Sequence, residues 1–196
     1  MSKEKRGLPP FFLSLDNLSF EINKKKIINI REYRASFNNL LLIKGKIGSG
    51  KTTLLKILAD IFFPTSGKYL LNNEINFKKI YIHSFPFFNF ITGRIADEML
   101  LAGKISEFEG KMPDKAIDEL SGGELKKISI LLSINSGYNL ILADEPFNML
   151  DDNEMENVKN TIIKQMGIAS FIVTTHEDIL DDYADEIIRL EDGCII

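Results

Sequence analysis

One stretch limits what this chain can fold into more than any other: GKIGSGKT, Gly45 to Thr52, set between the apolar run NLLLIKG and the sequence TTLLKILADIF. A strand that ends in G-x-x-x-x-G-K-[ST] and feeds a helix is a phosphate-binding loop. Gly48 and Gly50 permit backbone angles that point several N–H groups at one anion, and they remove side chains that would block it. A helix starting near Thr52 adds about half a positive charge at its N-terminus. Lys51 is placed to reach the β- and γ-phosphates, the Thr52 hydroxyl to take a Mg²⁺ position, and Thr53 to help hold the α-phosphate. Gly45, Lys46, Ile47 and Ser49 complete the nucleotide-binding set. The implied ligand is a nucleoside triphosphate.

The rest of the chain supports an α/β fold. FFLSLDNLSFEI (11–22) and KIINIREYRASF (26–37) read as strands around a lysine-rich turn. NLLLIKG (39–45) suits a strand buried on both faces. A helix is expected over TTLLKILADIF, an edge hairpin over YLLNNEINF (69–77), and a strand over KKIYIHS (78–84). Residues 85–120 turn aromatic-rich and then polar, with a break at GKMPDK before a helix that includes Ala116 to Leu120. After SGGE come a helix, the strand NLILAD (139–144), a helix from Asp152 to Met166, the strand SFIVTT (170–175), an acidic helix near 177–183, and EIIRL (186–190). Strands alternating with helices indicate a mostly parallel sheet covered on both faces.

Composition narrows the class. Net charge is −4 and the basic residues are scattered, which argues against a nucleic-acid partner. A single cysteine, Cys194, excludes an internal disulfide and suggests a reducing compartment. No apolar run approaches the ~18 residues needed to cross a bilayer, so any membrane role is expected through a partner.

Two more sites carry chemistry. LILADEP (140–146) puts Asp144 and Glu145 where a buried strand ends, beside the phosphate loop in a parallel sheet. Asp144 suits Mg²⁺ binding. Glu145 points elsewhere and is placed to orient or deprotonate an attacking water. LSGGE (120–124) precedes a helix. Ser121 and Glu124 match a capping box, which needs neither glycine, whereas Gly122 and Gly123 leave the helix N-terminus open to a large anion.

Taken in order, GKIGSGKT, LSGGE, LILADEP, NMLD (148–151) and TTH (174–176) resemble the nucleotide-binding subunit of ATP-binding cassette (ABC) transporters across nearly the whole chain. The resemblance implies one domain over 1–196. Its P-loop NTPase core would span 1–84 and 137–196, with a mostly parallel sheet and an N-terminal antiparallel β subdomain. A short helical subdomain bearing the signature motif would be inserted at 85–136. It also implies that the SGGE turn lids a second subunit's ATP in a head-to-tail homo- or heterodimer. Ser121 and Gly123 would then be the contacts in trans, Asp151 would link the two sites, and His176 would touch the γ-phosphate and the water. The activity implied is ATP hydrolysis with Mg²⁺, coupled to a membrane-spanning transporter subunit, at the inner face of the cell membrane. The segment FPFFNFITGRIADEM (85–99) is expected to receive that subunit. The alternatives are a soluble ABC-type ATPase with an assembly or regulatory role, or a module that holds ATP and barely hydrolyses it.

Three departures from the family pattern stand out. Ile22 falls where an aromatic residue stacks on adenine. Ser84, next to His83, falls where a glutamine reaches Mg²⁺. The stretch between Ser84 and Ser121 is short for a helical subdomain, and the sequence closes on EDGCII, with no expected room for a regulatory domain.

Overall fold

The protein is described by a computed structural model covering residues 9–73, 76–102 and 115–196. Its elements are β1 (Phe11–Ile22), β2 (Lys25–Phe37), β3 (Leu40–Lys44), α1 (Lys51–Leu58), β4 (Ser66–Asn73), β5 (Lys79–Ile82), α2 (Ile95–Ala102), α3 (Gly122–Asn135), β6 (Leu140–Asp144), α4 (Asp152–Gln165), β7 (Ser170–Thr175), β8 (Glu186–Glu191) and β9 (Cys194–Ile195). Among the described residues no helix is long and apolar enough to cross a membrane.

The short apolar runs become the centre of the main sheet because they are too short for helices and have no polar face to offer water. Every residue of β3, β6 and β7 is buried. The six strands lie in the order β5-β6-β7-β3-β8-β9, parallel except for the last pair. β3 inserts between β7 and β8, strands far from it in sequence, so the C-terminal ends of β3, β6 and β7 lie side by side at one edge of the sheet, where parallel sheets arrange their ligand sites. A second, antiparallel sheet of β2-β1-β4 packs with α1 around a core that includes Phe11, Leu15, Ile28, Leu54 and Leu58. On the opposite face, Val158 and Ile162 of α4 and Ile130 of α3 cover Leu42, Ile141 and Phe171. A separate small cluster of Ile95, Ile117, Leu125, Ile128 and Leu132, with Phe90 against it, joins α2 to α3.

Four local expectations are corrected. The first helix stops at Leu58 rather than running to Phe62: Asp60 takes φ +60° and its carboxylate turns to Lys79 Nζ at 2.6 Å. Among the described residues of 69–77 there is no hairpin: β4 starts at Ser66 and pairs with β1 along its length, Asn76 and Phe77 belong to no strand, and Glu74 and Ile75 lie outside the described residues. Ala116–Leu120 holds a single 3-10 turn at Ile117–Glu119, and most of the GKMPDK break falls outside the described residues. The acidic segment after His176 also keeps only a 3-10 turn, Asp181–Tyr183. Asp178 and Asp181 there point back to the amine of Lys44 at the end of β3, the second at 2.7 Å. Burial alone would lower that amine, but the two carboxylates hold it above its ordinary value.

Candidate nucleotide-binding site

The loop between β3 and α1 closes on its own lysine. Lys51 is buried, and its ammonium donates to the carbonyls of Gly45 at 2.7 Å and Lys46 at 3.2 Å. Gly48 and Gly50 adopt φ +85° and +103°, left-handed backbone that a side chain takes only with strain. Helix α1 starts without a side-chain cap, whereas Ser121 caps α3 and Asp151 caps α4. The first amides of α1, those of Lys51, Thr52 and Thr53, are therefore left for a ligand. Ser49 Oγ is buried with no hydrogen-bond partner among the described residues, a polar atom in want of an acceptor or donor. The turn between β8 and β9 props the loop from beneath, with Gly193 N donating to Ser49 O at 3.0 Å and Asn29 N to Gly193 O at 2.9 Å. A cleft of about 580 Å³ opens beside it, bounded by Lys46, Ser49, His176, Arg189 and Asp192.

Asp144, buried at the end of β6, gathers hydroxyls from three elements. Its Oδ1 accepts from Thr52 Oγ1 at 2.9 Å and Thr174 Oγ1 at 2.8 Å, and its Oδ2 from the Tyr81 phenol at 2.9 Å. Burial, and after it the Asp144 charge, push the Tyr81 phenol far above its usual range, so it stays a neutral donor. Nothing in the sequence pattern singled out Tyr81; it reaches Asp144 because β5 pairs with β6 in register Tyr81 to Leu142. Hydrogen bonds to charged groups contribute roughly 1.5–3 kcal/mol. Tyr81→Phe is therefore expected to lower Tm by about 3–10 °C in the nucleotide-free protein. An unchanged melt would show that water serves Asp144 equally well.

One residue on, the chain turns sharply. Glu145 has φ +43° and is pinned by its N–H to Thr174 O at 3.1 Å and Thr174 Oγ1 at 2.9 Å. The turn swings its carboxylate away from Asp144. Oε1 lies 3.0 Å from Lys51 Nζ and Oε2 lies 3.1 Å from His176 Nδ1. The other ring nitrogen of His176 faces Glu177 Oε1 at 3.2 Å. Lys51, Glu145 and His176 thus form one continuous polar chain over the loop. The anion beside the Lys51 ammonium is the carboxylate of Glu145.

The SGGE turn is elsewhere. Ser121 Oγ accepts from Glu124 N at 3.2 Å and Glu124 Oε2 from Ser121 N at 2.9 Å, so the capping box is formed. The Gly123 amide donates to Glu154 Oε1 at 3.4 Å, and Gly122 is open apart from Leu150. None of these bonds reaches the phosphate loop of the same chain. Asp151 Oδ1 accepts from Glu154 N at 2.8 Å as the cap of α4. Around these pieces two apolar side chains stand in solvent, Ile47 at 93% and Met149 at 87% exposure.

The departures can be placed as well. Ile22 sits half-exposed at the tip of the β1–β2 hairpin. His83 is held by packing, its Nδ1 accepting from Phe85 N at 3.0 Å and its ring edge-on to Phe88, which leaves Nδ1 no metal role. Of the aromatic segment, Phe85, Phe87, Phe88 and Ile91 are exposed, while Phe90 packs into the small cluster.

Comparison with known proteins decides the family. The sequence profile of the ABC transporter family matches residues 33–148, more than half of the chain. The chain belongs to the ABC transporter family. An ABC transporter ATP-binding protein of Methanocaldococcus jannaschii, itself uncharacterized, is 29% identical over 93% of this chain and 84% of its own length. Among solved structures, cbiO1 from Clostridium perfringens, part of the ABC transporter complex cbiONQ, superposes with TM-score 0.75 at 20% identity, covering 97% of this chain and 88% of that one. A dimeric ATP-binding cassette in a post-hydrolysis state with ADP and Pi superposes with TM-score 0.65 at 20% identity, covering 93% and 96%. The mixed sheets and the phosphate loop are accordingly those of an ABC ATPase, and binding and hydrolysing ATP in the service of transport is this ABC subunit's activity.

Proposed function

We propose that this subunit works as half of a split ATPase: its phosphate loop holds MgATP, and the Ser121–Gly123 turn of a second copy closes over the γ-phosphate. The observation that carries this reading is the Lys51–Glu145–His176 chain, with contacts of 3.0 and 3.1 Å, poised over a loop whose Ser49 hydroxyl lacks a partner among the described residues and whose helix starts without a side-chain cap. An incoming triphosphate takes over Lys51. Glu145 is then released to accept the proton of a water that attacks the γ-phosphorus as the bond to the β-phosphate oxygen breaks. His176 orients that water and the γ-phosphate. The amides of Gly45–Thr53 hold the phosphates, and positioning with fixed charge supplies most of the acceleration.

The residues suit Mg²⁺. Thr52 and Asp144 present a hydroxyl and a carboxylate 2.9 Å apart, the hard oxygen donors that Mg²⁺ prefers. Bound there with the phosphates, Mg²⁺ neutralises their charge. Asp151 would link the two sites across the interface. Because one chain carries both a phosphate loop and a Ser-Gly-Gly turn, a second copy suffices as partner. Exposed Ile47 and Met149 would be covered by it. Glu145→Gln with saturating MgATP is expected to run as a dimer in light scattering and to return to monomer when ATP is removed; a monomer throughout would contradict the split pocket.

The segment 85–136 would form the helical subdomain, with 1–84 and 137–196 as the core. On it, Phe85, Phe87, Phe88, Ile91, Leu100 and Leu101 expose apolar surface of the kind that marks a partner site. The proposed partner is a membrane-spanning transporter subunit, which places this protein at the inner face of the membrane. Replacing Phe88 and Ile91, at 72% and 88% exposure, by Ser is expected to leave Tm and the isolated ATPase unchanged and to abolish co-purification with membranes. Undiminished membrane association would move the docking site elsewhere. Phe90 is unsuitable for this test because it belongs to the small core.

A further inference from the structure

Lys126 is a buried cation that no step above uses. It lies on α3 at 3% exposure, and its ammonium donates to the carbonyl of Asn148, in the loop that joins Glu145 to Asp151. The negative charges of Glu154 on α4 and of Glu145 in that loop act on it in the direction that favours the charged amine. Burial pushes the amine down to about 8, against the pull of both. A cation is thus kept where an apolar side chain would be less costly.

Glu154 is the link to the Ser-Gly-Gly turn. Its Oε1 accepts from the Gly123 amide at 3.4 Å, and a Cβ on Gly123 would come within 2.9 Å of Glu154 Cβ. The amide assigned above to the partner's γ-phosphate therefore already has an anion beside it. A phosphate arriving there meets like charge unless Glu154 is neutralised, and Lys126 supplies the opposite charge.

We propose that Lys126 is a positioning residue for the nucleotide held in trans: by neutralising Glu154 and holding the Asn148 carbonyl, it keeps the Ser121–Gly123 turn receptive to a phosphate and ties that turn to the loop carrying Glu145. The inference rests on the reading of Ser121–Gly123 given above. It makes each signature turn responsive to the catalytic loop of its own chain.

The test is the MgATP dependence of hydrolysis by the full chain carrying Lys126→Met, Glu154→Gln or both, with Tm measured in parallel. Lys126→Met leaves a carboxylate beside Gly123 without its counter-ion, and the half-saturating MgATP concentration is expected to rise by about tenfold. Glu154→Gln does not raise it. The double variant returns to within about threefold of the unmodified protein, because removing both members of a charge pair costs far less than removing one. Lys126→Met is expected to melt lower than the unmodified protein, since the Asn148 carbonyl loses its donor and a carboxylate loses its counter-ion, and Glu154→Gln is expected to recover part of that loss in the double variant. An unchanged MgATP dependence in Lys126→Met overturns the proposal. So does a double variant no better than Lys126→Met, or a lowered Tm that the second substitution fails to rescue, either of which would mean packing alone. Ser121→Arg in the same assay reports on the underlying reading. If it is fully active, the trans site itself is wrong; if it is inactive while Lys126→Met is unaffected, only the role of Lys126 is lost.

Discussion

Replacing Glu145 by Gln is expected to cut steady-state hydrolysis by about 10²–10⁴-fold, the usual worth of a general base, without weakening ATP binding. The amide is the same size as the carboxylate and can still accept from Lys51 and meet His176, so the turn at Glu145, pinned to Thr174 by two bonds, keeps its shape. What disappears is the negative charge. A neutral side chain cannot take the water's proton, and it no longer competes with phosphate for the Lys51 ammonium 3.0 Å away. Phosphate release and equilibrium binding of a fluorescent ATP analogue should therefore separate, with hydrolysis lost and affinity equal or higher. Hydrolysis within threefold of the unmodified protein would place the base elsewhere.

The second large effect is at Ser121. Arg there sets a long cationic side chain on the turn and removes the hydroxyl proposed to meet developing charge on the partner's nucleotide; one such donor is worth about 10²–10³ in rate. The turn's hydrogen bonds run to Glu124 and Glu154 rather than to the phosphate loop of its own chain. ATP binding to the isolated subunit should therefore be untouched while hydrolysis collapses. Ser121 also caps α3, and losing a cap costs about 1 kcal/mol; a small drop in Tm is expected and cannot by itself account for the lost activity. If nucleotide affinity falls together with hydrolysis, the turn acts in cis.

How much of this was legible in the sequence follows from how local each signal is. The phosphate loop, β7 at Ser170–Thr175 and the carboxylates after β6 could be read directly, because an apolar run, a glycine pattern and a strand end are short-range facts. Long-range choices could not. Residues 69–73 have strand composition, but their partner is β1, roughly 60 residues upstream and invisible to local pattern. The stretch 177–183 has helical composition, yet Asp178 and Asp181 are drawn to Lys44, whose position depends on the order of strands. Tyr81, Lys126 and Glu154 escaped for the same reason. A tyrosine in a strand and a lysine or glutamate on a helix are unremarkable until parallel pairing sets Tyr81 beside Asp144 and the packing of α3 on α4 puts Lys126 within the field of the Glu154 charge. The buried lysine left one trace, an apolar-periodic helix carrying a charge on its inward face. Ser121 shows the reverse: the common capping motif is present and formed, and Gly123 is additionally required by the close approach of Glu154.

The split pocket is tested most directly by mixing two dead subunits. Lys51→Met spoils the phosphate loop and leaves the Ser-Gly-Gly turn whole; Ser121→Arg does the opposite. Each alone should hydrolyse at background level. When the two are mixed, a mixed dimer pairs the intact loop of one with the intact turn of the other, and ATPase activity should reappear. A mixture as inactive as its separate components, with dimers confirmed by light scattering, would show that the two halves of the pocket do not come from different chains.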